Sequence, residues 1–87
     1  MRTVFKYQLK VSDNIQIINL PINAKFLVAG VIQTDIFLWY EVDTNNSTNK
    51  NFYHVFGTGH SIWPASNVNW LATVSDKRFV WHIYQEI

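Results

Sequence analysis

The chain contains no cysteine, which excludes disulfides, thiolate metal sites and cysteine nucleophiles. It has only two prolines and three glycines among its 87 residues, too few for a linker, so it reads as a single domain over 1–87. It also lacks an excess of either charge: seven Lys/Arg stand against six Asp/Glu, a net charge of +1. Proteins that grip duplex DNA through many phosphates carry a clear basic surplus, so duplex nucleic acid is not an expected partner. No apolar run approaches the roughly 20 residues of a membrane-spanning helix, and no membrane partner is expected. "MRTVFKYQLK" mixes charge into its apolar positions, so no secretory signal is expected and the "NNST" sequon around Asn46 is read as chance.

What the chain does have is rings. Four Trp, four Tyr and six Phe make 16% of the residues, within a hydrophobic share of 48%. Such a composition is too apolar for disorder. A domain this small cannot fully bury so many rings, so some are expected to line a pocket or a subunit interface. The plainer reading leaves a few scattered singly on the surface.

The pattern is that of strands. "TVFKYQLKV" alternates, with Phe5, Tyr7, Leu9 and Val11 on one face and Arg2, Lys6, Gln8 and Lys10 on the other. "SDN" at 12–14 is turn chemistry, and "IQIINL" is a short strand ending at Pro21. "AKFLVAGVIQ" is apolar on both faces from Phe26 to Ile32, as in a central strand or one covered by another subunit. Gly30 inside it suggests a bulge or a close approach. A turn at Thr34–Asp35 joins it to "IFLWYEV", and Asp43–Asn51 is expected to be an exposed polar loop. "FYHVF", "VNWLATV" and "RFVWHIYQEI" complete the strands, with an irregular segment at "SIWPASN" where a helix over Pro64–Asn69 stays open. The expected fold is all-β: an antiparallel sheet or small sandwich of about six or seven short strands, in an oligomer.

"GTGH" at 57–60 has two readings. Glycines at a strand end commonly serve a turn that needs positive φ or tolerates no Cβ. Alternatively, Gly57, Thr58 and Gly59 leave backbone N–H groups open to an anion or base edge, with the Thr58 hydroxyl and His60 ring beside them. The segment matches neither a phosphate-binding P-loop nor a dinucleotide fingerprint. His54, His60 and His82 fit no short metal-ligand spacing, and the six acids fall mostly in turns or at strand ends. No catalytic residue, metal or cofactor is expected, and the chain is not read as an enzyme.

Aromatic stacking is more promising. A base needs a π-face and a few edge donors, and a phosphate needs cations or N–H groups. Trp39, Tyr40, Phe56, Trp63, Trp70 and Trp81 supply candidate faces, and Arg2, Lys6, Lys25 and the glycine amides supply charge. Most of these rings are expected to be core.

The succession "FKYQL", "LPINAKFLVAGVIQ", "LWYEVD", "FGTGH", "WLATV" and "FVWHIYQE" resembles a family of small phage-encoded proteins with a "YGTGH"-like segment, nearly end to end. Phe56 stands where tyrosine is common in that family, which keeps the ring and loses a hydroxyl. The family is identified with the phage nucleotide sponges that defeat cyclic-oligonucleotide (CBASS) defence. The resemblance implies immune evasion in the host cytoplasm: a homo-oligomer, expected to be a homotetramer, holding a cyclic dinucleotide such as cGAMP uncut at a subunit interface. It further implies amide donors from Gly57, Thr58 and Gly59, a phosphate or base contact from His60, and stacking by Trp39 or Phe56. Lys6 and Tyr7 would add charge and a phenol, and Gln33 an edge contact. The rival reading is a phage accessory protein that inhibits a host defence protein directly, with Trp63, Trp70 and Trp81 as anchors. A single-stranded nucleic-acid binder comes third.

Overall fold

A computed structural model describes residues 1–62 and 67–87. They form seven strands and, among the described residues, no helix: β1 (Arg2–Leu9), β2 (Gln16–Pro21), β3 (Lys25–Ile32), β4 (Asp35–Asp43), β5 (Thr48–Gly57), β6 (Val68–Ser75) and β7 (Val80–Glu86). Two antiparallel sheets result, a three-stranded one in the order β1-β4-β3 and a four-stranded one in the order β2-β5-β7-β6. The expected all-β class is what the chain adopts, in its sandwich form.

Each sheet hides one face because period-two alternation puts the apolar residues on it. Ile36, Leu38, Tyr40 and Val42 of β4 turn inward and are buried, and Leu9 of β1 joins them opposite Ile36. The facing sheet contributes Ile18, Leu20, Tyr53, Val55, Val74 and Ile83. Fully burying a Leu- or Ile-sized side chain contributes about 1.5–3 kcal/mol, so this cluster is the main source of stability. The two layers are also tied by a hydrogen bond: the Tyr40 and Tyr53 hydroxyls, one from each sheet, meet at 2.7 Å.

Several local expectations need correcting. β3 is not central: it is an edge strand beside β4, and Leu27, Val28 and Ile32 remain exposed on it. Its register slips between Phe26 and Val28, so the irregularity falls at Leu27 and not at Gly30. Gly30 is instead crossed by the Trp39 indole, whose Cζ3 would lie 3.5 Å from an added Cβ, an ordinary contact. The polar loop is only Thr44–Ser47, because Thr48–Asn51 continue β5 and pair with β2. The β3–β4 turn is Gln33–Thr34, with Ile32 pairing Asp35, and Gln33 takes a φ of 59° where glycine is usual. The expected irregular stretch and optional helix fall largely on 63–66, outside the described residues, while Val68 and Asn69 already belong to β6.

Strand direction then gathers one set of turns at one end of the sandwich. The end of β5, the Gln33–Thr34 turn and the β6–β7 turn at Asp76–Phe79 share clefts there, together with Lys10 and Val11 after β1.

Candidate functional site

The "GTGH" segment leaves β5 as a tight turn. His60 N–H donates to the Gly57 carbonyl at 3.1 Å, and Gly59 has a φ of +86° while Thr58 does not enter the positive region. This is the signature of a type II turn, whose third position favours glycine. Gly57 has a separate reason. The His60 ring folds back over it, so closely that an added Cβ would lie 2.8 Å from Cε1. Nδ1 of that ring accepts the Gly57 N–H at 3.2 Å, which leaves Nε2 to carry the proton of the neutral imidazole. The turn reading therefore holds in both its forms, positive φ at Gly59 and no room for a Cβ at Gly57. Of the three amides expected to face an anion, that of Gly57 is engaged within the turn.

Beside this turn lies a cleft of about 580 Å³, between Gly57, Thr58 and His60 on one side and Arg78, Phe79 and Trp81 on the other. The Phe79 and Trp81 rings are 5.8 Å apart and tilted by 34°. Arg78 also lines two neighbouring clefts, one of about 330 Å³ with Gln33, Thr34 and Lys77, and one of about 370 Å³ with Lys10, Thr34 and Trp81. Its guanidinium sits 5.9 Å from the Phe79 ring centroid, within cation–π range, and takes part in none of the ion pairs among the described residues. The nearby Asp76 carboxylate is committed to the turn, accepting the Arg78 and Phe79 N–H groups at 2.7 and 2.8 Å. Those two bonds hold its pKa below the usual carboxylate value.

On the outer face of the four-stranded sheet, His82 bonds on both sides. Its Nε2 meets Thr58 Oγ1 at 2.8 Å and its Nδ1 meets Thr73 Oγ1 at 3.0 Å, while Trp70 Nε1–H donates to the same Thr73 oxygen at 3.0 Å. His54 is buried, 4% exposed, with Nε2 at 2.7 Å from Glu86. Its ring stacks on Phe56 at 6.0 Å and 9°, and Phe56 meets Tyr84 edge-on.

The residues singled out from the sequence are thus divided. Phe56, Gly57, Thr58, Gly59 and His60 sit together around a cleft of about 210 Å³ that also includes His82. Gln33 reaches the same end of the sandwich through its shared cleft with Arg78. Lys6 and Trp39 pair across β1 and β4 on the outer face of the other sheet, where Lys6 Nζ lies 4.6 Å from the Phe37 ring. Tyr7 faces inward and packs edge-on to Tyr40 at 6.1 Å; burial raises its phenol pKa. Tyr40, weighed as a stacking face, is core. Trp63 lies outside the described residues. Arg78 and Phe79 were missed: the sequence put them at the start of the last strand, but β7 begins at Val80, so both lie in the β6–β7 turn, and only the fold brings that turn to "GTGH".

A family model described as a domain of unknown function, DUF7352, matches residues 1–87. The chain belongs to that family. No curated protein and no solved structure matches the chain. Within this DUF7352 domain, then, the clefts themselves carry the functional argument: a guanidinium with no ion pair among the described residues, two ring faces and a hydroxyl converge on one opening.

Proposed function

We propose that this protein binds a cyclic oligonucleotide defence signal, such as cGAMP, and sequesters it uncut, as a phage immune-evasion protein of the host cytoplasm. The observation that carries the reading is the 580 Å³ cleft, where Arg78 and Thr58 suit a phosphate and Phe79 and Trp81 suit a base. His60 Nε2 adds an edge donor. The resemblance of the strand succession to the phage sponge family supports the same ligand class. Homo-oligomerisation, as a tetramer, completes the proposal. Its support is the outer face of the three-stranded sheet, where Val4, Val28 and Ile32 are exposed around Phe37 and Trp39.

The test is thermal melting against cyclic dinucleotides, cyclic trinucleotides and cyclic ADP-ribose isomers. A ligand at about 100 times its Kd stabilises the fold by roughly 2.7 kcal/mol. A shift with one compound, recovered intact after denaturation, supports sequestration. No shift with any compound sinks it, and recovery of a cleaved product replaces it with catalysis.

The second reading, direct inhibition of a host defence protein, is favoured by that same exposed sheet face and by Trp70, 60% exposed on edge strand β6. It expects indifference to nucleotides and co-purification with one host protein.

A further inference from the structure

The hydrogen bonds that converge on His82 have a direction. An indole N–H only donates, so Trp70 gives its hydrogen to Thr73 Oγ1. A hydroxyl that accepts becomes a better donor, and the partner in line is His82 Nδ1 at 3.0 Å. With Nδ1 accepting, the neutral ring carries its proton on Nε2, 2.8 Å from Thr58 Oγ1. Thr58 then accepts from His82, and its own hydrogen is left to donate to whatever lies beside the turn.

The geometry points to a relay, Trp70 to Thr73 to His82 to Thr58, that fixes the Thr58 hydroxyl as an outward donor and so selects a ligand oxygen with no hydrogen of its own, as on a phosphate. Thr73, His82 and Trp70 are positioning residues. Of the four, Thr58 is the one that lines the proposed cleft and touches ligand, from the wall it shares with Gly57 and His60. The inference rests on the proposed nucleotide site for its ligand but not for its direction. Were the chain reversed, Thr58 would donate inward to His82 and present only lone pairs, which repel an anion. The relay also makes Trp70, on the sheet edge, a sensor of events at a turn that belongs to β5.

Two measurements decide it. Long-range proton–nitrogen NMR of the wild-type protein at neutral pH is expected to show His82 protonated at Nε2 and bare at Nδ1; the opposite tautomer overturns the relay. In the same spectra Thr58→Val, without any nucleotide, is expected to move the Trp70 Nε1–H resonance, and an unmoved resonance also counts against it. Titration with cGAMP is expected to give about tenfold weaker binding for Thr58→Val and for Thr73→Val, with Thr58→Ser close to wild type. Wild-type affinity in Thr73→Val removes the positioning role. If the wild-type protein binds no cyclic nucleotide, the functional reading fails while the tautomer and the Trp70 resonance still decide the relay.

Discussion

The hydroxyls of Tyr40 and Tyr53 meet at 2.7 Å inside the core, a polar link between two sheets whose facing sides are otherwise lined by apolar residues among those described. Removing one hydroxyl leaves the other buried without a partner, at a cost of about 1–3 kcal/mol. Tyr53→Phe and Tyr40→Phe should each lower the melting temperature by about 4–8 °C per kcal/mol lost. The double variant should lose less than the sum, because it strands no hydroxyl. Additive losses in thermal melts would show that the two hydroxyls do not act as a pair.

The same pair sets an alkaline limit. Burial raises the phenol pKa of Tyr40 and, further still, of Tyr53; the hydrogen bond to Tyr40 adds to the shift at Tyr53. The folded state therefore keeps protons that the unfolded chain sheds above about pH 10. The contribution to stability is fully present below that pH and falls as pH rises past it. Tyrosine absorbance should show these phenols ionising only as the chain unfolds; ionisation at the ordinary pH in the folded protein would contradict their burial.

The two glycines of the turn should fail differently. Gly59→Ala meets no atom within 4 Å but must hold a φ of +86°, a strain of about 1–3 kcal/mol, and Gly59→Asn should recover part of it. Gly57→Ala instead pushes the exposed His60 ring aside. Its melting temperature should change less than that of Gly59→Ala, while nucleotide binding weakens more. Equal effects of both substitutions on melting and binding would mean that the turn acts only as a connector.

Arg78→Ala should weaken nucleotide binding by about tenfold or more and flatten its salt dependence, with melting unchanged because the side chain is exposed. Arg78→Lys should restore charge but not the planar fork, and so recover only part of the affinity. Affinity unaffected by Arg78→Ala would move the site away from this cleft.

Strand count and the inward face of β1 were legible because a half-buried strand repeats every two residues, as Tyr7 and Leu9 do; Ile36, Leu38 and Val42 of β4 obey the same period. The first half of β5 was not, since Thr48–Lys50 are exposed and polar and are made a strand only by β2 beside them. β3 misled for the opposite reason: its apolar outer face has no cover among the described residues. The turn at "GTGH" showed its glycines but not which of them serves φ. The i to i+3 spacing of Gly57 and His60 was the available clue. Gln33 and Arg78 lie far apart in sequence, and no local pattern announces that their turns share a cleft.

The place of β7 in the four-stranded sheet also has a kinetic consequence. It is seventh in chain order yet lies between β5 and β6, so those two strands have no partner in common until it arrives. The β1–β4 and β2–β5 ladders likewise join distant segments, and among the described residues only β3–β4 and β6–β7 are hairpins. Loop closure must precede most of the stabilising contacts, which places folding in the millisecond-to-second range of non-local β topologies. During synthesis β2 and β5 can pair early but wait, with an unsatisfied edge, for the strand that completes their sheet.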